Sequence, residues 1–121
     1  MNIFLLIKES VGKMLRHIKK FLNRHIIKDI NFKTAVRFLK QNDGVLIDVR
    51  SKQEYEEEHL AGAININLYD LEKEIKQMIK AKNKTIVVCC TSGGRSKQAQ
   101  IILEKLGYEN VYNLKDGING I

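Results

Sequence analysis

The sequence has no proline and no tryptophan, and cysteine occurs only twice, side by side, as Cys89 and Cys90. No stretch reads as a linker, a repeat or a low-complexity tract, so the 121 residues suit one domain with a single core. Adjacent cysteines make a poor structural staple, because a disulfide between neighbours strains the peptide that joins them. They also lack the spacing and the nearby histidine of a metal site, so no metal is implied. What remains is thiol chemistry in a reducing compartment, or the plainer reading of two small buried residues. Long apolar runs are missing too. The stretch from Ile3 to Ile7 is broken by Lys8 and Glu9. It is too short to span a bilayer and has no charged region before it, which argues against a signal peptide. The expectation is a cytoplasmic chain.

Acidic residues are nearly absent from the first 28 positions. Seven basic residues stand there against Glu9 alone, a net +6, whereas the remaining 14 basic residues face 13 acidic ones, a net +1. The overall charge of +7 therefore belongs to a basic extension, residues 1–28, on a nearly neutral domain, residues 29–121. Within the extension Phe4, Ile7, Val11, Met14, Leu15, Ile18 and Leu22 recur at spacings of three and four, with basic residues such as Lys20 and Arg24 between them. This predicts a basic amphipathic helix. Such a helix can make weak, peripheral contact with an anionic membrane surface or recruit a protein partner. The plainer alternative is that it folds back on its own domain. Nucleic acid is not an expected partner, because no stacking platform or reading motif accompanies the charge.

From residue 29 helical and strand patterns alternate. Asn31 is placed to cap a helix with apolar positions Phe32, Ala35, Val36 and Leu39, and Gly44 closes the turn after it. Val45 to Val49 reads as a buried strand. Ser51 and Glu54 form a capping box that opens a short acidic helix. Ala63 to Ile66 is a second strand, and Leu68, Leu71, Ile75, Met78 and Ile79 mark another helix. Thr85 to Cys89 is the clearest buried strand. A helix with Ala99, Ile102, Leu103 and Leu106 follows, stopped by Gly107, and Asn110 to Tyr112 is a last strand. The alternation predicts an α/β fold, an open, mostly parallel sheet with helices on both faces. Ligand sites in such sheets gather at the carboxyl ends of the strands. Asp48-Val49-Arg50 and the loop after Cys89 lie there.

Residues 90 to 96 read Cys-Thr-Ser-Gly-Gly-Arg-Ser. A strand delivers Cys90 and a helix leaves just after it, so loop amides and a helix N-terminus can face the sulfur. Gly93 and Gly94 permit the positive φ of a tight cradle, and Arg95 adds a permanent cation. All three features favour a thiolate, and predict a lowered pKa for Cys90. Packing alone is the alternative.

Three motifs, in order, resemble the rhodanese family. The first is Leu46-Ile47-Asp48-Val49-Arg50 followed by Glu54, Tyr55, His59, Leu60, Gly62, Ala63 and Ile64. The second is Cys90-x-x-Gly93-x-Arg95-Ser96. The third is Gly107-Tyr108, Val111-Tyr112-x-Leu114 and Gly117-Ile118. The resemblance covers about residues 29 to 121. It implies a rhodanese-like sheet and a sulfurtransferase in which Cys90 takes a sulfane sulfur from a small donor (thiosulfate, a persulfide or a polysulfide). The sulfur would pass to a thiophilic acceptor, a protein among the candidates, and no cofactor is implied because the protein itself carries the sulfur covalently. It also implies that the backbone of Thr91, Ser92, Gly93, Gly94 and Arg95 cradles the persulfide, with Asp48 and Arg50 bracing the loop. His59 has no nucleophile partner and reads as structural. Asp116 stands where the family has a glycine, and Ile121 where it has an aromatic residue. Those departures bear on the packing of a C-terminal helix rather than on the loop. Cys89 is expected to point into the core.

Two other readings compete. Cysteine phosphatases and arsenate reductases resemble His-Cys-x-x-Gly-x-x-Arg-Ser, with five residues between Cys and Arg. Counted from Cys90 there are only four, and counted from Cys89 the glycine falls out of place. The shorter loop suits one extra sulfur rather than a tetrahedral oxyanion. The other rival is a non-catalytic binding module, which a buried and inert Cys90 would favour.

Overall fold

The computed structural model describes residues 2–25 and 28–121, and the side chains of 20–25 fall outside the description. Lys20, Leu22 and Arg24, counted above in the helical pattern, therefore lie outside the described side chains. The first helix, α1, runs Ile3–His25. Its described side chains face solvent: Phe4 is 78% and Ile7 56% exposed. Over residues 2–19 the helix does not fold back on the domain. Among the described residues no helix is long and apolar enough to cross a membrane.

The domain is a five-stranded sheet in the order β1-β5-β4-β2-β3, parallel throughout. The strands are β1 (Asp29–Ile30), β2 (Val45–Asp48), β3 (Ile64–Asn65), β4 (Thr85–Cys89) and β5 (Asn110–Leu114). Central β4 is buried on both faces, as its unbroken apolar run requires. Helices cover both sides. On one face α2 (Phe32–Gln41) packs through Ala35, Phe38 and Leu39 onto Val87, Cys89 and Leu114. On the other, α4 (Leu71–Met78) and α5 (Gly94–Lys105) bring Leu71, Ile75, Ala99 and Leu103 onto Ile47, Val88 and Val111. The expected α/β architecture is thus the observed one.

Local signals set the element starts. The Asn31 side chain accepts from the Thr34 amide at 2.8 Å and opens α2. Ser51 and Glu54 exchange both bonds of a capping box at the start of α3 (Lys52–Glu57). After α2, Asp43 takes the positive φ of 49° and Gly44 does not. Gly44 is needed for space, because a Cβ would press on Leu39 and on the Thr85 carbonyl. The helix expected from Leu68 begins as a 3-10 turn, Leu68–Asp70. Strand β5 runs two residues further than expected, through Asn113 to Leu114. Lys28, counted with the extension, is buried against the sheet, and its carbonyl accepts from the Asn113 amide at 2.6 Å.

Candidate functional site

The carboxyl ends of β2 and β4 lie side by side, with Asp48 opposite Cys89. Alternation along β4 sends the two cysteines to opposite faces. Cys89 joins the α2 layer and Cys90 the α4–α5 layer. Burial, reinforced by the Asp48 carboxylate, pushes the Cys89 thiol up to about 12.

Cys90 has different neighbours. The Gly93 amide donates to its sulfur at 3.1 Å and the Ser96 amide at 3.4 Å, with Ser96 Oγ also at 3.4 Å. Gly93, at φ 102°, is the N-cap of α5 and makes no side-chain cap. The Cys90 sulfur takes the place of a capping side chain on the first turn of the helix. Burial opposes its ionisation. The Ser96 hydroxyl, when its proton faces the sulfur, and the amides of Ser96, Gly93 and Ser92 outweigh burial and hold the thiol below its ordinary value. Access is narrow, since Cys90 is only 1% exposed. Ser92 and Gly94 are exposed above it. Gly94 keeps an ordinary φ and opens space, so only Gly93 of the pair supplies the left-handed turn.

Arg95 is not a free cation. Its guanidinium grips Glu54 through two bonds, 2.7 and 3.0 Å, and also donates to Thr91 Oγ1 at 3.1 Å. Arg95, first among several partners, holds the Glu54 carboxyl at about 2. Glu54 thus ties α3 to the loop, a role the capping box had masked. Asp48 and Arg50 form a buried pair at 2.8 Å, and Arg50 reaches the Glu58 carbonyl at the end of α3. Their bonds reach the helix that carries Glu54 rather than the loop itself. His59 stacks on Tyr55 and bonds to its carbonyl.

Two further supports come from the far side. Ile118 and Asn119 donate to the Cys90 and Thr91 carbonyls at 2.9 and 3.0 Å. A Cβ on Gly117 would collide with both carbonyls, and one on Gly93 with the carbonyl of Lys115. In place of a full C-terminal helix there is a 3-10 turn, Ile118–Gly120, and its backbone bears directly on the loop. Behind the loop, Ser96 Oγ donates to Asn113 Oδ1, and Asn113 Nδ2 donates to Asp29 at 3.2 Å. Neither Asn113 nor Asp29 stood out in the sequence, since a lone polar residue near a strand end reads as a turn.

The family model of the rhodanese-like domain matches residues 31–121. Thiosulfate sulfurtransferase PspE of Escherichia coli is 44% identical over 73 residues, which are 58% of this chain and 70% of PspE. The tRNA uridine(34) hydroxylase of Buchnera aphidicola is 34% identical over 116 residues, 84% of this chain but 37% of that protein. This chain thus spans just over a third of the hydroxylase. Among solved structures, a rhodanese with anions from E. coli superposes with a TM-score of 0.61 at 40% identity, covering 64% of this chain and 91% of that one. The parallel sheet, the loop after β4 and these likenesses agree, and the chain belongs to the rhodanese-like domain family.

Proposed function

We propose that the chain is a sulfurtransferase that carries sulfur as a persulfide on Cys90. The Cys90 thiolate attacks the sulfane sulfur of a donor. A new S–S bond forms, and the old bond to that sulfur breaks with its electron pair leaving on the donor (as sulfite from thiosulfate, as a thiolate from a persulfide). A thiophilic acceptor then takes the outer sulfur, and Cys90 leaves as the thiolate. The observation that carries this reading is the convergence of the Gly93 and Ser96 amides on the Cys90 sulfur. Those donors favour an anion held at the end of a strand. The likeness to the thiosulfate sulfurtransferase PspE supports the same chemistry.

The oxyanion reading is weaker, because the one arginine of the loop is held by Glu54 rather than aimed inward. Burial of Cys90 favours the binding-module reading, and turnover decides between the two. Purified protein should transfer sulfur from thiosulfate or a polysulfide to a small thiophilic acceptor, and Cys90→Ser should abolish the transfer. Equal activity in wild type and Cys90→Ser would remove the proposal. Thiol chemistry of this kind belongs in a reducing compartment such as the cytoplasm.

Residues 1–28 are proposed as a peripheral contact with an anionic membrane surface. The exposed apolar stripe of α1 lacks a covering surface within residues 2–19, and the helical period puts Lys13 and Arg16 on its far side and Lys19 on its flank. The protein should sediment with vesicles containing anionic lipid and not with neutral ones, and salt should release it. Equal recovery with both vesicles, or with neither, would contradict this role.

A further inference from the structure

The Ser96 hydroxyl has one proton and three acceptors within reach. They are the Cys90 sulfur at 3.4 Å, the Gly93 carbonyl at 3.2 Å, and Asn113 Oδ1 at the closest approach. Which acceptor receives the proton depends on how the Asn113 amide is turned. Its Nδ2 end faces the Asp29 carboxylate at 3.2 Å and the Gly93 carbonyl at 3.4 Å. Both are acceptors, so this end must be the NH2 group, and the oxygen must face Ser96. Asp29 is itself held by Lys97 at 3.0 Å. The donors therefore run one way: Ser96 to Asn113, Asn113 to Asp29.

That direction has a consequence at the sulfur. A protonated Cys90 completes the chain by donating to Ser96 Oγ. Once the thiol loses its proton to solvent, the sulfur faces an oxygen lone pair unless Ser96 turns. If Ser96 turns, Asn113 Oδ1 loses its donor in a site only 3% exposed, and an unsatisfied buried acceptor is costly. We propose that Asn113, fixed by Asp29, is a positioning residue that competes with the Cys90 sulfur for the single Ser96 proton, and so restrains Cys90 ionisation. In the persulfide the inner sulfur is again uncharged, and the Ser96 proton returns to Asn113. The network then favours the thiol and the loaded form over the thiolate between them. This last step rests on the sulfurtransferase reading, whereas the restraint itself does not.

Other charges near the sulfur come from several elements. Arg95 of α5 is paired with Glu54 of α3, the Asp48–Arg50 pair closes β2, and Lys97 and Asp29 stand behind Asn113. Substituting Asn113 leaves all of them in place. The test is a pH titration of thiolate absorbance on the full chain in a Cys89→Ala background, where Cys90 is the only thiol. Asn113→Leu should lower the midpoint and raise the thiolate fraction below it roughly three- to tenfold, about the effect of one hydrogen bond gained by the charged form. Ser96→Ala should cancel most of that change. Asp29→Ala, at a position whose side chain is 45% exposed, removes the acceptor that fixes the Asn113 amide and is the second variant, which should act in the same direction. A midpoint that stays put or rises in both variants, or a lowering that survives Ser96→Ala, would overturn the proposal. Sulfur uptake does not enter this titration, so its outcome is separate from that of the transfer assay.

Discussion

Glu54 closes the capping box of α3 and holds Arg95 with both carboxylate oxygens. Its carboxyl sits at about 2 against an ordinary 4.5. A carboxyl depressed in the folded state contributes stability that is complete above its ordinary value and is lost as pH falls toward the folded one. Glu54→Gln should therefore flatten the acid limb of stability between about 4.5 and about 2, as read from denaturant midpoints over that range. An unchanged acid limb would exclude the pair as a contributor. Arg95→Ala should cost little stability, at most about 1 kcal/mol for a pair this exposed. It should weaken use of an anionic donor far more, since it leaves Glu54 uncompensated beside the loop. Steady-state kinetics with thiosulfate and with an uncharged polysulfane donor separates the two effects, and equal losses with both donors would count against it. That Cys90 rather than Cys89 meets the loop amides was legible from the loop spacing. The grip of Glu54 on Arg95 was not, because the partners stand 41 residues apart and each already has a local explanation.

At the scale of elements, the cradle depends on two glycines that meet backbone. Gly93→Ala and Gly117→Ala each combine a positive φ with a collision against a carbonyl. Each should destabilise by about 2–4 kcal/mol. Gly94→Ala, at an ordinary φ with open space, should be close to neutral. Chemical denaturation of the three variants checks the order, and a costly Gly94→Ala would contradict the description of the loop. The central elements were readable because burial writes its period into the sequence. Four apolar residues ending at Cys89 can only be a strand buried on both faces, and Ser51 with Glu54 states a helix start. Strand β1 and the end of β5 were not readable. Strand β1 is two residues long and too short to show a period. Strand β5 continues through Asn113, whose polar side chain looks like a strand end until Ser96 and Asp29 are seen to satisfy it. At Asp43 and Gly44 the turn stands where expected, with the positive φ on Asp43 and with Gly44 supplying space.

For the whole molecule, α1 is the part on which the domain does not lean over residues 2–19. Removing residues 1–25 while keeping Lys28, whose carbonyl bonds to β5, should leave the melting midpoint and sulfur transfer unchanged and abolish vesicle binding. A large fall in the midpoint would show that the extension packs on the domain after all. The domain is a scaffold that brings the end of β4, the first turn of α5, the helix carrying Glu54 and the C-terminal turn to one sulfur atom. The central claim concerns that atom. The most direct measurement is the intact mass of the protein after exposure to thiosulfate or polysulfide, before and after reduction, with Cys90→Ser and Cys89→Ala alongside. A persulfide on Cys90 requires a gain of one sulfur that reductant removes, present in wild type and Cys89→Ala and absent in Cys90→Ser. No gain in wild type with any donor, or equal loss in both variants, would contradict it.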